Sequence, residues 1–381
     1  MTDPQPRKPE WAPTEDDGGF ASRVIPGVAG GHDGMNPNGP TEPKNNDDDE
    51  AVPARRPLAA GEYAAGVMAG DRAILARAIT LIESNAPAHF ELAQDVLARL
   101  LPHSGRAVRL GITGVPGAGK STLIEALGVR LIERGHKVAV LAIDPTSSLT
   151  RGSILGDKTR MEQLSREPAA FIRPSPAGGM LGGVARKTRE TMLVCEAAGF
   201  DVVIVETVGA GQNEITVRSM VDFFLLVLIP GGGDELQGIK KGVVELADAI
   251  AINKADGENR IRAEAARAEY NRALHYLTPP TEGWHPRAYT CSALTGEGID
   301  ALWDVVGRFH ERAAATGALQ ARRRQQAKEW LHAIIDEQLR AFFYDRQAVR
   351  EALPNVEAAV MNGTLPPTAA ARRLLALLDA M

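Results

Sequence analysis

The feature that most constrains this chain is one stretch, Gly114-Val-Pro-Gly-Ala-Gly-Lys-Ser121. It matches the pattern G-x-x-x-x-G-K-[ST], which has meaning only between a strand and a helix. An apolar run, Val108 to Thr113, precedes it, and a helix-forming run, Ser121 to Arg134, follows it. The sequence therefore predicts a phosphate-binding loop that connects a strand to a helix.

The residues of this loop have the chemistry to bind nucleotide phosphates. Glycines let the loop curl so that successive backbone N–H groups point at a phosphate, and the helix adds its positive N-terminal end. Lys120 would reach the β- and γ-phosphates, and the Ser121 hydroxyl would ligate Mg²⁺. The predicted phosphate-binding residues are Gly114, Val115, Pro116, Gly117, Ala118, Gly119, Lys120, Ser121 and Thr122.

Apolar runs alternate with helical patterns over most of the chain. Several runs are apolar throughout, which is typical of strands covered by helices on both faces. This alternation predicts an α/β fold of the P-loop NTPase type, with a doubly wound and mostly parallel sheet. The seven predicted strands are Val108–Thr113, Val138–Ile143, Phe171–Arg173, Val202–Glu206, Phe223–Ile229, Ala249–Ile252 and Ala288–Cys291.

A second motif, Asn253-Lys-Ala-Asp256, follows the sixth of these strands and predicts a guanine site. The Asp256 carboxylate can accept hydrogen bonds from guanine N1–H and N2–H, whereas adenine lacks this donor pair. The Lys254 stem can lie along the base while Asn253 braces neighbouring loops. Backbone groups after the seventh strand would contact guanine O6. The predicted base-site residues are Asn253, Lys254, Asp256, Ser292, Ala293 and Leu294.

Acidic residues at strand ends are candidates for the Mg²⁺ that a P-loop enzyme needs. Glu206 ends its strand and opens Glu206-Thr-Val-Gly209, Asp144 ends an earlier strand, and Asp157 lies in the loop after it. The Gly209 amide would approach the γ-phosphate. We therefore predict a catalytic set of Lys120, Glu206 and Gly209.

The rest of the chain divides by composition. Residues 1–55 are rich in Pro, Gly, Asn and Asp and predict a disordered acidic tail, with a partner-binding segment as the alternative. Residues 56–105 show helical spacing and predict a helical N-terminal segment, before a GTPase domain over 106–312. Residues 313–381 are helical again, with an apolar stripe from Trp330 to Phe343, and predict a C-terminal arm.

Charge and cysteine content exclude several classes of function. The net charge is −5 and the basic residues are dispersed, which argues against binding to nucleic acid through a basic field. Two cysteines without a CxxC pair exclude a disulfide framework. The N-terminus has no apolar signal region, and the run Phe223–Ile229 is too short to cross a bilayer. We expect a soluble cytoplasmic protein without a membrane partner.

Glu206-Thr-Val-Gly209 has Glu where most GTPases have Asp, and with several other stretches it resembles the MeaB/ArgK family of P-loop GTPases. The other stretches are Gly111 to Thr122, Ala142 to Ser147, Phe171 to Ser175, Leu181 to Thr188 and Asn253 to Asp256. The human member of this family supports methylmalonyl-CoA mutase. The resemblance implies a homodimer formed through the C-terminal arm. It also implies a GTPase that gates cobalamin loading into a cobalamin-dependent acyl-CoA mutase and protects that mutase. It further implies a Mg²⁺ shell of Ser121, Asp144, Asp157 and Glu206, with GTP as substrate, and an additional switch at Gly231 to Lys240.

The residue after Gly209 sets the expected rate of hydrolysis. Fast GTPases place a water-orienting Gln there, but this chain has Ala210, and Gln212 lies two residues further on. We therefore predict slow intrinsic hydrolysis that a partner accelerates. Arg186, Lys187 and Lys240 could stabilise transition-state charge or could be solvated surface cations.

Three other functions compete with this one. A metallochaperone would carry Cys-rich or His-rich tracts, which this chain lacks. A kinase or ATPase associated with amino-acid transport would need an acceptor pocket, for which the sequence offers no pattern. A binding module with a degenerate nucleotide site is disfavoured by the intact Lys120 and Ser121. Which acyl-CoA mutase is served stays open.

Overall fold

Seven parallel strands form one sheet in the computed structural model, which describes residues 56, 58–144, 161–176, 181–207, 213–231 and 241–378. In chain order the strands are Val108–Gly114 (β1), Val138–Asp144 (β2), Ala170–Pro176 (β3), Val202–Thr207 (β4), Phe223–Leu228 (β5), Ala249–Ile252 (β6) and Ala288–Thr290 (β7). Their order across the sheet is β3-β2-β4-β1-β5-β6-β7, and every adjacent pair is parallel. The predicted α/β fold with a doubly wound parallel sheet is confirmed.

Ten helices accompany or follow the sheet in the described residues, after three that precede it. They are Lys120–Glu133 (α4), Glu162–Arg166 (α5), Leu181–Ala197 (α6), Asn213–Arg218 (α7), Lys241–Leu246 (α8), Asn259–His275 (α9), Ile299–Ala315 (α10), Ala318–Tyr344 (α11), Gln347–Met361 (α12) and Pro367–Leu375 (α13). Short 3-10 turns cover Leu101–His103 and Ala376–Leu378. The predicted acidic tail, residues 1–55, lies outside the described residues.

Several strands are largely apolar because both faces of the sheet are covered. In β4, Val203 and Val205 belong to a core shared with the N-terminal helices, whereas Val202 and Ile204 belong to a core shared with α4. Successive side chains of a strand point to opposite faces, so each residue enters one core or the other. This arrangement places the carboxyl ends of the central strands at one edge, where the phosphate loop begins.

The predicted helical N-terminal segment consists of three helices, Ala60–Met68 (α1), Arg72–Glu83 (α2) and Pro87–Leu100 (α3). The carboxylate of Asp71 caps α2 by accepting hydrogen bonds from the amides of Ala73 and Ile74. Leu75 and Ile79 are completely buried, and each contributes roughly 1.5–3 kcal/mol by that burial. This segment packs on α6, so it belongs to the same core as the sheet.

The predicted C-terminal arm begins with the long helix α11, which is held to the sheet near its start. Arg323 donates from Nε and Nη2 to the buried carboxylate of Asp222, just before β5, at 2.8 and 2.5 Å. Further along, α11 exposes an apolar stripe. The stripe consists of Leu331, Ile335, Leu339 and Phe342, which are between 42% and 59% exposed.

Candidate nucleotide and magnesium site

The phosphate loop starts at the centre of the sheet, where β1 lies between β4 and β5. A Cβ on Gly114 would lie 2.0 Å from the carbonyl oxygen of Val227 on β5, so only glycine fits there. Gly119 has a φ of +81°, and a Cβ there would lie 2.8 Å from the Asn253 amide nitrogen. These two glycines let the loop approach both the neighbouring strand and the base motif.

Lys120 is buried at the first turn of α4, where it is directed back along the loop. Its Nζ donates hydrogen bonds to the carbonyl oxygens of Gly114 and Val115, at 2.9 and 3.2 Å. Burial lowers the pKa of Lys120, while the negative charges of Glu206 and Glu214 oppose that shift. A buried cation at the mouth of a loop of backbone amides suits a bound phosphate.

Ser121 and Glu206 are brought together from opposite sides of this site. The Ser121 hydroxyl donates a 2.9 Å hydrogen bond to Glu206 Oε1, and Glu206 is only 4% exposed. In an octahedral Mg²⁺ shell with bonds of about 2.0–2.1 Å, neighbouring ligand oxygens lie roughly 2.9 Å apart. Hard oxygen donors at this separation can therefore take adjacent positions on one Mg²⁺.

For the remaining predicted magnesium and catalytic residues, Asp144, Asp157 and Gly209, the structure describes at most the backbone. The backbone of Asp144 ends β2, one residue beyond the pair Ile143 and Thr207, so Asp144 lies at the same edge of the sheet as Glu206. Asp157 and Gly209 lie outside the described residues, as do Ala210 and Gln212. The roles assigned to these positions therefore stay predictions.

Asn253 connects the phosphate loop to the base site. It follows β6, is 1% exposed, and donates from Nδ2 to the carbonyl oxygen of Ala118 at 2.8 Å. Its Oδ1 accepts a 3.0 Å hydrogen bond from the amide of Ala293. One buried amide thus ties together three loops that are far apart in sequence, because each loop leaves the same edge of the sheet.

Asp256 has a partner that the sequence analysis missed. The hydroxyl of Ser292, which is completely buried, donates to Asp256 Oδ2 and accepts from the amide of Thr295 at 3.1 Å. The sequence suggested only backbone contacts from Ser292, since no local pattern links residues 36 positions apart. Lys254, between the two motif ends, adopts a left-handed φ of 60°, and Leu294 is 83% exposed beside the loop.

Lys187 corrects one interpretation made from the sequence. It was expected either to act on the transition state or to be a solvated surface cation. Instead it is 6% exposed on α6, and its Nζ donates a 2.6 Å hydrogen bond to Asn85, between α2 and α3. Burial is the largest cause of its lowered pKa. The side chain connects α6 to the N-terminal helices, so it is not a solvated surface cation.

The described residues contain neither a cluster of metal-binding side chains nor a helix that could cross a membrane. Within them, no group of three or more His, Cys, Asp or Glu side chains is placed to hold a metal ion. Cys195 and Cys291 are both buried, and burial raises the pKa of Cys291 to about 12, which disfavours the thiolate that would bind a metal. Among the same residues, every helix is too short or too polar to cross a bilayer.

The similarity of this chain to known proteins extends over all the residues of this site. The sequence profile of a family described as "Methylmalonyl Co-A mutase-associated GTPase MeaB" matches residues 75–348. A putative GTPase of Caulobacter vibrioides is 58% identical over 310 residues, which are 81% of this chain and 95% of that protein. GTPase ArgK of Escherichia coli is 50% identical over 305 residues, 80% of this chain and 92% of that protein. A crystal structure described as LAO/AO transport system kinase has a TM-score of 0.69 at 42% identity, covering 84% of this chain and 98% of that one.

Proposed function

Because the chain belongs to the MeaB family of methylmalonyl-CoA mutase-associated GTPases and is itself a GTPase, we propose that it serves a methylmalonyl-CoA mutase as a cofactor chaperone. In this role it gates the loading of cobalamin into the mutase and protects the loaded enzyme from inactivation. We place this activity in the cytoplasm. The observation that carries the proposal is the contact between Ser121 and Glu206.

That contact gives the nucleotide a connection to the rest of the molecule. Ser121 lies in the first turn of α4, where the phosphates would bind, and Glu206 is the second-last residue of β4, shortly before residues 208–212, which lead into α7. Loss of the γ-phosphate would act on Glu206 and on the segment after it. Helix α7 ends at Arg218, whose guanidinium lies 3.5 Å from the buried carboxylate of Asp248. A displacement of the segment after Glu206 would therefore be transmitted through α7 to the part of the sheet beside Asp248.

The chain's own groups account for binding and orientation of GTP. Lys120 and the loop amides hold the phosphates, while Asp256, positioned by Ser292, accepts from the guanine edge. We propose that Ser121, Asp144, Asp157 and Glu206 hold Mg²⁺, which when bound neutralises charge on the β- and γ-phosphates. Ala210 stands where fast GTPases have a glutamine, so we expect hydrolysis by the isolated chain to be slow.

The test measures GTP turnover by this chain alone, with apo-mutase, and with the cobalamin-loaded mutase from the same cell. We expect a stable complex and faster turnover with at least one form of the mutase, and a Lys120→Ala chain should give no turnover in any mixture. Absence of both a complex and a rate change would reject the chaperone role and leave the GTPase assignment intact.

The solved relative named a transport system kinase favours a second candidate, transfer of the γ-phosphate to a transport protein. The two functions differ in where the phosphate goes. Incubation with γ-labelled GTP and an amino-acid-binding transport protein separates them, because a hydrolase releases labelled phosphate and a kinase labels the protein. Label recovered only as inorganic phosphate would remove the kinase.

A further inference from the structure

A cavity of about 360 Å³ lies between α6, α11 and the amino end of β1. Most of its wall is apolar and comes from Leu101, Met192, Leu193 and Met220. Three arginines also line it, and none of the lining residues carries a carboxylate. A cavity of this size lies within the range of about 300–1,000 Å³ that small-molecule sites occupy.

The charges of two of these arginines are compensated by ion pairs. Arg109 pairs with Glu196 at 2.6 Å, and Arg323 pairs with Asp222 at 2.5 Å. Arg189 differs, since its Nη2 donates only to the carbonyl and hydroxyl oxygens of Ser219, at 2.9 and 2.6 Å, and it has no ion pair among the described residues. One positive charge at the cavity therefore has no bonded counter-charge.

The same arginine and a neighbouring tryptophan carry unpaired donors. Arg189 is 9% exposed, its guanidinium lies 5.6 Å from the centre of the Trp330 ring, and both residues line the cavity. The Nε–H of Arg189 and the Nε1–H of Trp330 are buried without an acceptor in the described residues. Burial lowers the pKa of Arg189 to about 10 against the opposing charge of Glu329, so the guanidinium is still charged at neutral pH.

We propose that this cavity is a binding site for a compact, largely apolar molecule that ends in a carboxylate. The apolar wall would hold the body of the ligand, and the carboxylate would supply both the missing counter-charge and acceptors for the unpaired donors. One positive charge without an ion pair among the described residues suits a monoanion better than a phosphate dianion. The site is separate from the nucleotide, because Arg109 is the second residue of β1 and Gly114 is the last, roughly 16 Å away along the strand.

The test uses the full chain saturated with GDP and Mg²⁺, with its four tryptophans labelled with ¹⁵N at the indole nitrogen. The resonance of Trp330 is identified by its loss in Trp330→Phe. Hexanoate and 3-phenylpropionate are titrated as probes, each beside its neutral amide, and calorimetry gives the affinities. We expect the acids to bind and to shift the Trp330 resonance, and the amides to do neither.

Variants locate the charge that binds the probes. Arg189→Gln should weaken binding of the acids by roughly tenfold or more, whereas Arg324→Gln, at an exposed arginine on α11, the helix that carries Trp330, should bind like the parent chain. If circular dichroism shows that Arg189→Gln is unfolded, Trp330→Phe replaces it, because it keeps an aromatic ring at this position and removes the indole N–H. That variant should bind the acids about threefold or more weakly.

Three results would overturn the proposal. The proposal is wrong if neither acid shifts the Trp330 resonance, or if the amides shift it as much as the acids do. The proposal is also wrong if the acids do not bind and neutralising the acidic cluster moves the Trp330 resonance. The variant for this measurement carries Asp47→Asn, Asp48→Asn, Asp49→Asn and Glu50→Gln. The last result would assign the cavity to the chain's own N-terminal tail.

Discussion

The hydroxyl of Ser121 donates a 2.9 Å hydrogen bond to the buried carboxylate of Glu206, and it thereby joins the first turn of α4 to the end of β4. The two oxygens are spaced as neighbouring ligands of one Mg²⁺ would be. In the proposed function this pair belongs to the Mg²⁺ site and immediately precedes the segment that we expect to respond to the γ-phosphate.

Glu206→Gln keeps the size of the side chain and removes its charge. We expect the Mg²⁺ concentration needed for half-maximal GTP turnover to rise roughly 10- to 100-fold, the range typical of groups that support a metal ligand. GDP affinity in the absence of Mg²⁺ should change little. Glu214→Gln is the matched control, because Glu214 acts on the charge of Lys120 but lies on α7, outside the metal pair. An equal effect of both variants would show that Glu206 acts only through the electrostatic effect of its charge on Lys120.

Asp256→Asn tests the base site. The amide should weaken GTP binding and favour xanthine nucleotides relative to guanine nucleotides, since xanthine presents an acceptor where guanine presents its N2 amine. Competition between GTP and XTP for binding to the protein measures the preference. Unchanged preference for guanine would exclude Asp256 from base recognition.

Ser292→Ala tests whether Asp256 needs its buried partner. Removing the hydroxyl deletes one hydrogen bond to the carboxylate, and we expect about a tenfold loss of GTP affinity with the guanine preference retained. Thr295→Ala is the control, because Thr295 contacts Ser292 only through its backbone amide. If GTP affinity is the same in Ser292→Ala and the parent chain, the carboxylate is positioned by something else.

Arg323→Ala removes the ion pair that holds α11 to the sheet. Asp222 would remain buried and would lose its charged partner, so we expect the free energy of unfolding to fall by about 3–5 kcal/mol. Chemical denaturation measures this change. Arg324→Ala, one residue along the same helix and exposed, should have little effect.

The exposed stripe of α11 predicts the oligomeric state. We expect the chain to be a homodimer in solution, and Leu339→Asp together with Phe342→Asp to give a monomer, because each places a charge on an apolar contact. Analytical ultracentrifugation distinguishes the two states. Ile261→Asp changes an equally apolar side chain, 83% exposed on α9, and should leave the dimer intact. A monomeric parent chain would contradict the predicted role of the C-terminal arm in dimer formation.

The strands were predictable because buried parallel strands are apolar throughout and need no partner to be recognised. The exception is β3, predicted over Phe171–Arg173 and observed over Ala170–Pro176. Pro174 and Pro176 hid its second half. Among the described strands, β3 lies at the edge and pairs only with β2, so a proline there removes no hydrogen bond to a second neighbour.

The sequence by itself determined the phosphate loop, the guanine motif and the seven strands, because each is a local pattern that carries its own chemistry or burial. Tertiary structure alone decided that Ser292 serves Asp256, that Lys187 is buried against Asn85, and that Arg323 binds Asp222. The partners in these three pairs stand 36, 102 and 101 residues apart. Such pairs form only where the fold brings distant segments together and burial then requires each polar group to find a partner.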